Sequence, residues 1–273
     1  MQVADGSMSL SLTVSLWWLY NTTNKANLPS TSNLDVFLLT LKFILSIIYT
    51  MYVINQIYGL AIAIVLLVLF LTTRRLTLKG TSSFLRTIVI VIICLFFDAL
   101  SCVAIKNWYT PDNSQGLNAL VEAICKTYLI TMIWVGWTNF CYVCLDLNST
   151  KKRHDRLCLI MAAITLVMSL LVGVLDIGVV NDEVKGLYTE GPAVIATYVF
   201  ALFYIFSSIT VAIYVLKVRN RRRGFAVLFS HIIWVSAAGV QAFNNELLLV
   251  GLAMAVGLLI LYIVMENPDA HID

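Results

Sequence analysis

Residues 85–105 read LRTIVIVIICLFFDALSCVAI, a stretch in which Arg86 and Asp98 are the only charged side chains. A helix needs about 20 mostly apolar residues to cross the roughly 30 Å hydrocarbon core of a bilayer, so this stretch predicts a membrane span. The composition of the whole chain agrees, because its 273 residues are 60% hydrophobic and only 12% charged. An ordinary soluble domain carries about 25% charged residues. The composition therefore excludes that class and predicts a polytopic membrane protein.

Seven such apolar runs occur along the chain, each bounded by charged residues, Pro or Gly. Their bounds are 52–73, 85–105, 117–146, 157–178, 192–216, 225–243 and 246–265. We therefore predict an all-α membrane protein in which residues 51–265 form a bundle of seven transmembrane helices. Only Phe243 to Glu246 separate the last two runs, which predicts a helical hairpin with a tight polar turn at the membrane surface.

The N-terminal extension, residues 1–50, allows two interpretations. Residues 36–50 (VFLLTLKFILSIIYT) are apolar, and they could form an eighth span or an interfacial helix. Residues 9–20 are too short to span, and no basic region precedes them as it does in a secretory signal. Translation starting at Met51 would leave only the seven-span part of the chain.

The basic residues predict the orientation of the bundle. Thirteen of the 18 Lys and Arg residues belong to three connections, close to residues 74–86, 151–156 and 217–223. Cytoplasmic loops of membrane proteins carry such an excess of Lys and Arg. We therefore expect a plasma-membrane protein with these connections and the C-terminus in the cytoplasm, and with the beginning of the seven-span bundle outside.

Polar side chains near the outer half of the bundle are candidates for ligand binding, because an ionisable group at membrane depth costs at least about 2.5–3.5 kcal/mol and needs a partner or a function. The candidates are Asp98, Glu122, Lys126, Tyr188, Gln241 and Asn244. We expect Asp98 to face the interior, either as a ligand or proton site or in a hydrogen bond between helices. Glu122 and Lys126 stand four residues apart on one helix face and could neutralise each other.

Catalytic and cofactor motifs are not found in the sequence. His231 has no second His, Cys or Glu at ligand spacing, so it is interpreted as a core histidine and no metal is expected. The six cysteines lie in or beside apolar runs and are interpreted as reduced core residues. The seventh run has no lysine for a retinal Schiff base. We expect no enzymatic activity and no cofactor in this chain, and no nucleic-acid partner.

Four stretches together resemble a known family. They are RRLTLKG (74–80), FLRTIVIVIICLFFDALSC (84–102), YTEGPAVIATYVFALFY (188–204) and VQAFNNELLLVGLAMAVGLLILYIVMENPDAHID (240–273). This set resembles the N-terminal seven-helix sensory region of bacterial membrane-bound GGDEF proteins, the diguanylate cyclases that convert two GTP to cyclic di-GMP. In that family a last span of the type LxLYIxxENP leads to an Asp that begins the cyclase domain. Glu266, Asn267, Pro268 and Asp273 match this junction.

The resemblance implies a membrane-embedded sensory and signal-transducing module that regulates a C-terminal cytoplasmic cyclase domain. Residues 266–273 would then be the cytoplasmic junction to that output domain. The chain contains no GGDEF or GGEEF string, so no catalytic residue carries over. The resemblance also implies a homodimer, and we expect an unknown small-molecule ligand. The sensor region of a histidine kinase and a small-molecule transporter remain as alternatives.

Overall fold

A computed structural model describes residues 54–72, 81–109, 115–146, 151–182, 186–218, 221–243 and 248–266, all within one compact unit, Thr50–Asp273. Seven helices are present in these ranges. They are α1 (Ile54–Thr72), α2 (Thr81–Trp108), α3 (Gln115–Val143), α4 (Lys151–Val174), α5 (Pro192–Val218), α6 (Arg221–Phe243) and α7 (Val250–Leu261). The predicted all-α membrane bundle is confirmed. The predictions for residues 1–50 fall outside the described ranges.

The bundle is apolar outside and carries its polar side chains inside. Six helices, α1 to α6, are long and apolar enough to cross a membrane. Many large apolar side chains are exposed on their surface, among them Val65, Leu166, Phe206 and Phe229. Buried polar side chains include Gln56, Asp98, Asn139, Ser208 and His231. This arrangement suits a protein whose surrounding solvent is lipid, and it defines a multi-pass membrane protein.

The seventh helix begins later than its hydropathy predicts. The apolar run begins at residue 246, whereas α7 begins at Val250, and Leu248 just before it has a positive φ of 37°. The Gln241 side chain of α6 caps the helix, because its Oε1 accepts a hydrogen bond from the Val250 N–H at 3.1 Å. Leucine has a high helix propensity. The run of leucines at 247–249 therefore gives no sign in the sequence of where α7 begins.

A β-hairpin between α4 and α5 was not predicted. α4 ends at Val174, earlier than the predicted bound of 178, and strands β1 (Gly178–Asp182) and β2 (Gly186–Glu190) follow. They pair antiparallel, with Val180 opposite Tyr188, and both strands contact α2. The segment is too short to show an alternating pattern beside long apolar runs, so the sequence indicated only a loop.

α7 is the most enclosed helix in the described part of the bundle. Eight of its 12 residues are buried, whereas only about a fifth to a half of the apolar window in each of α1 to α6 is buried. A five-residue π-helical turn, Tyr262–Glu266, continues it. The apolar helix Val250–Met265 is about 24 Å long at 1.5 Å per residue, shorter than the roughly 30 Å hydrocarbon core.

Candidate functional site

Asp98 lies against the first turn of α7. Its side chain is only 5% exposed, as expected for a carboxyl that points into the bundle. A Cβ atom added to Gly251 would come within 2.9 Å of Asp98 Oδ2 and 2.8 Å of Leu95 Cδ2. The missing side chain at Gly251 is therefore what lets the carboxyl of α2 approach the backbone of α7.

Small polar groups of α2 and α3 surround the Asp98 carboxyl. Cys94, Cys102, Cys125 and Tyr128 lie within electrostatic reach of it. The Ser101 hydroxyl donates a hydrogen bond to the backbone carbonyl of Asp98 at 2.8 Å, not to its carboxyl. The carboxyl stands beside the N-terminal turn of α7, where the helix dipole favours negative charge.

A second polar contact joins α3 to α6 at His231. His231 Nδ1 is 2.7 Å from the carbonyl oxygen of Val227, and a carbonyl can only accept, so Nδ1 carries the proton. The other ring nitrogen, Nε2, then accepts from Asn139 Nδ2 at 3.2 Å. Both ring nitrogens are used, which agrees with the interpretation of His231 as a core histidine.

Trp234 lies between His231 and α7 and contacts both. The two rings are 5.1 Å apart, and the indole Nε1 of Trp234 would overlap any Cβ atom added at Gly257. Neither that indole N–H nor Asn139 Oδ1 has a hydrogen-bond partner among the described residues. Two buried polar atoms without partners are costly in a low-dielectric interior.

The end of α7 is held by an aromatic cluster formed by Phe70, Phe84, Tyr142 and Tyr262. Ring centroids are 5.3 Å apart for Phe70 and Phe84, 5.1 Å for Phe84 and Tyr142, and 6.4 Å for Phe84 and Tyr262. The Tyr142 hydroxyl also contacts Met265 Sδ at 3.8 Å. Phe70, Phe84 and Tyr142 belong to α1, α2 and α3 close to the basic connections, so α7 leaves the bundle at that end.

The structure brings two of the predicted ligand candidates together, because Asp98 and Gln241 both contact the first turn of α7. Lys126 lies elsewhere, with its ammonium donating to the Gly173 carbonyl at 3.1 Å. Glu122 is on the same helix and partly exposed, and Tyr188 lies in the hairpin. The remaining candidate Asn244, and the junction residues Asn267, Pro268 and Asp273, fall outside the described ranges; Glu266 ends the π turn.

Three glycines that were not predicted as site residues shape these contacts. A Cβ atom at Gly59 of α1 would lie 3.2 Å from the Gly251 carbonyl oxygen, so α1 and α7 cross at two glycines. Gly257 accommodates Trp234 in the same way. Small residues in an apolar helix mark close helix contacts in membranes, and this signal could have found Gly251 and Gly257.

Two pockets in the described part of the chain lie away from this site. A partly open pocket of about 10 Å³ lies among Val143, Val215, Val227 and Met265, and an open surface groove of about 460 Å³ lies beside Lys152 and Arg156. Asp98 lines neither of them. Over the described ranges, no group of three or more His, Cys, Asp and Glu side chains is arranged to hold a metal ion.

Comparison with known proteins gives no match: no family model fits the chain, and no curated protein matches it.

Proposed function

We propose that this chain is a membrane-embedded sensory module that passes a signal through α7 to a cytoplasmic output domain, a diguanylate cyclase of the GGDEF type. The observation that carries the proposal is the position of α7. Together with the π-helical turn that follows it, α7 is buried among α1, α2, α3 and α6 and contacts each of them through a named residue. A change in the packing of any of these four helices acts directly on α7.

The two ends of α7 suit this role. Its first turn meets the Asp98 carboxyl and the Gln241 amide, polar groups in an otherwise apolar interior. Its last turn is a π helix, which is rare and occurs frequently at functional sites. A shift at the first turn therefore reaches the segment that precedes Glu266-Asn267-Pro268 through one short helix.

The signal, in this proposal, is an apolar or weakly polar small molecule that acts in the outer half of the bundle. A ligand can shift the resting arrangement only if it binds one of two arrangements more tightly. Because the helices around Asp98 are packed closely, such a ligand would have to part α2 from α7. Asp98 and Gln241 are the polar groups that it would meet there.

The proposal also includes orientation and assembly. The excess of basic residues in three connections supports a cytoplasmic C-terminus in the plasma membrane, and α7 leaves the bundle at the same end as those connections. A homodimer is proposed because two cyclase domains would have to face each other. In this arrangement the chain itself has no enzymatic activity.

An experiment on a fusion protein tests the proposal. The full chain is fused after Asp273 to an active GGDEF domain, and cyclic di-GMP is measured in cells against a fusion with an inactivated GGDEF domain. Gly257→Ala should change the output by displacing Trp234 or α7, whereas Gly239→Ala should not, because a Cβ atom there meets nothing within 4 Å. Equal output from both variants at equal expression would contradict the proposal. A dimerisation helix with a phosphorylatable His in the coding sequence after Asp273 would favour a kinase instead.

A further inference from the structure

Two cysteines from different helices flank one histidine where α3 ends and α4 begins. The Cys158 thiol lies 3.4 Å from Nε2 of His154 and 3.9 Å from its Nδ1. The same Nε2 is 2.9 Å from the backbone carbonyl oxygen of Cys141, so α3 and α4 approach each other at this imidazole. The thiols of Cys158 and Cys141 lie close enough to interact, and Cys144 is a further neighbour of Cys158.

The hydrogen bonds of His154 prepare it to accept a proton. Its Nε2 is 2.9 Å from the carbonyl oxygen of Cys141, so Nε2 carries hydrogen and Nδ1 is the basic nitrogen of the neutral ring. Asp155 Oδ1 lies 3.5 Å from Nδ1 and stabilises the imidazolium once Nδ1 is protonated. His154 can therefore take the proton of the Cys158 thiol and leave a thiolate beside a cation.

Exposure separates Cys158 from the other cysteines. It is partly exposed, whereas the other five are buried. The Arg86 guanidinium lies within electrostatic reach of it. Reactive cysteines occupy partly exposed, electropositive surroundings of this kind. Burial raises the pKa of the Cys144 thiol above its usual range, so this neighbour stays protonated.

We propose that Cys158 and Cys141 form a reversible thiol–disulfide pair that responds to hydrogen peroxide. His154 takes the Cys158 proton, and the thiolate attacks one peroxide oxygen, breaking the O–O bond to give a sulfenic acid and, with that proton, water. The Cys141 sulfur then attacks the Cys158 sulfur and displaces a second water as the disulfide forms. Peroxide is reduced by two electrons while two thiols are oxidised to one disulfide.

The disulfide would fasten α3 to α4 at the end where α7 leaves the bundle. Cys141 is adjacent to Tyr142, whose hydroxyl contacts Met265, so closing the bond would act on the last turn of α7. Sensor cysteines of this type are commonly placed beside a resolving cysteine. The inference stands on this cluster alone and does not depend on the proposed output domain.

The test follows the chemistry directly. The full chain in lipid nanodiscs is treated with hydrogen peroxide, and non-reduced tryptic peptides are analysed by mass spectrometry, since Lys151 to Arg156 provide cleavage sites between the two cysteines. A peptide linked through Cys141 and Cys158 is expected, and dithiothreitol should separate it. In Cys141→Ser, a dimedone adduct on Cys158 should replace the linked peptide.

His154→Gln should slow dimedone trapping on Cys158 in the Cys141→Ser background by roughly tenfold near neutral pH, because the thiolate would lose its base. Cys125→Ser is the matched control and should leave both rate and linkage unchanged. Either of two results would overturn the inference. The first is dimedone trapping that is no faster on Cys158 than on Cys125, and the second is a sulfenic acid on Cys158 that never yields the linked peptide.

Discussion

The carboxyl of Asp98 in α2 faces the backbone of Gly251 in α7 so closely that a methyl group at residue 251 would stand 2.9 Å from Oδ2. The glycine at residue 251 and the buried carboxyl at residue 98 therefore form a single close contact between α7 and α2. Because this contact is at the first turn of α7, it ties the start of that helix to α2.

Gly251→Ala should lower the stability of the bundle. The new methyl group would meet both Asp98 Oδ2 and Leu95 Cδ2 below 3.0 Å, and overpacking of this kind costs about 1–3 kcal/mol. Thermal unfolding in detergent measures the change. Gly173→Ala is the control, because its Cβ atom meets nothing within 4 Å; an equal effect of the two changes would mean that the contact does not constrain α7.

The bond between Asn139 and His231 should show coupling in a double-mutant cycle. Asn139→Leu, His231→Leu and the double variant are compared by unfolding in mixed micelles, and the expected coupling is about 0.6 kcal/mol, the average for such bonds in membranes, and at most about 1.7 kcal/mol. Ser207→Ala is the control, since among the described residues that hydroxyl bonds to the Phe203 carbonyl oxygen of its own helix. Strict additivity of the two leucine changes would show that the pair contributes nothing across α3 and α6.

Asp98→Leu should alter stability or output more than Asp112→Leu. Leucine at residue 98 removes a carboxyl that is 5% exposed and places branched methyl groups against Gly251. Asp112 belongs to the short connection between α2 and α3. Stability is read by thermal unfolding and output by cyclic di-GMP from the fusion protein, and equally small effects of both changes would count against Asp98 as a buried interaction site.

Labelling of single cysteines should reveal the orientation. On a background without native cysteines, a reagent that cannot cross membranes should label residue 113 in intact cells and residue 221 only after permeabilisation. The reason is the excess of basic residues in the connections near residue 221. The opposite pattern would reverse the topology and remove the basis for a cytoplasmic output.

The seven helices of the described residues and their approximate bounds could be predicted because crossing a bilayer requires long apolar runs. The interior position of Asp98 follows from the same requirement. The start of α7 could not be predicted, because a side chain of α6, Gln241, determines it through a contact in space. The hairpin at 178–190 and the roles of Gly251 and Gly257 depend on which helices become neighbours, and hydropathy does not carry that information.

The central claim, that α7 carries the signal, is tested most directly by changing the length of the segment that follows it. One to four alanines are inserted between Met265 and Asp273 of the full chain fused to an active GGDEF domain, and cyclic di-GMP is measured for each length. Each added residue changes the distance and the direction between α7 and the output domain, so the account predicts an output that changes with insertion length. An output that stays the same at every length, with equal expression, would contradict it.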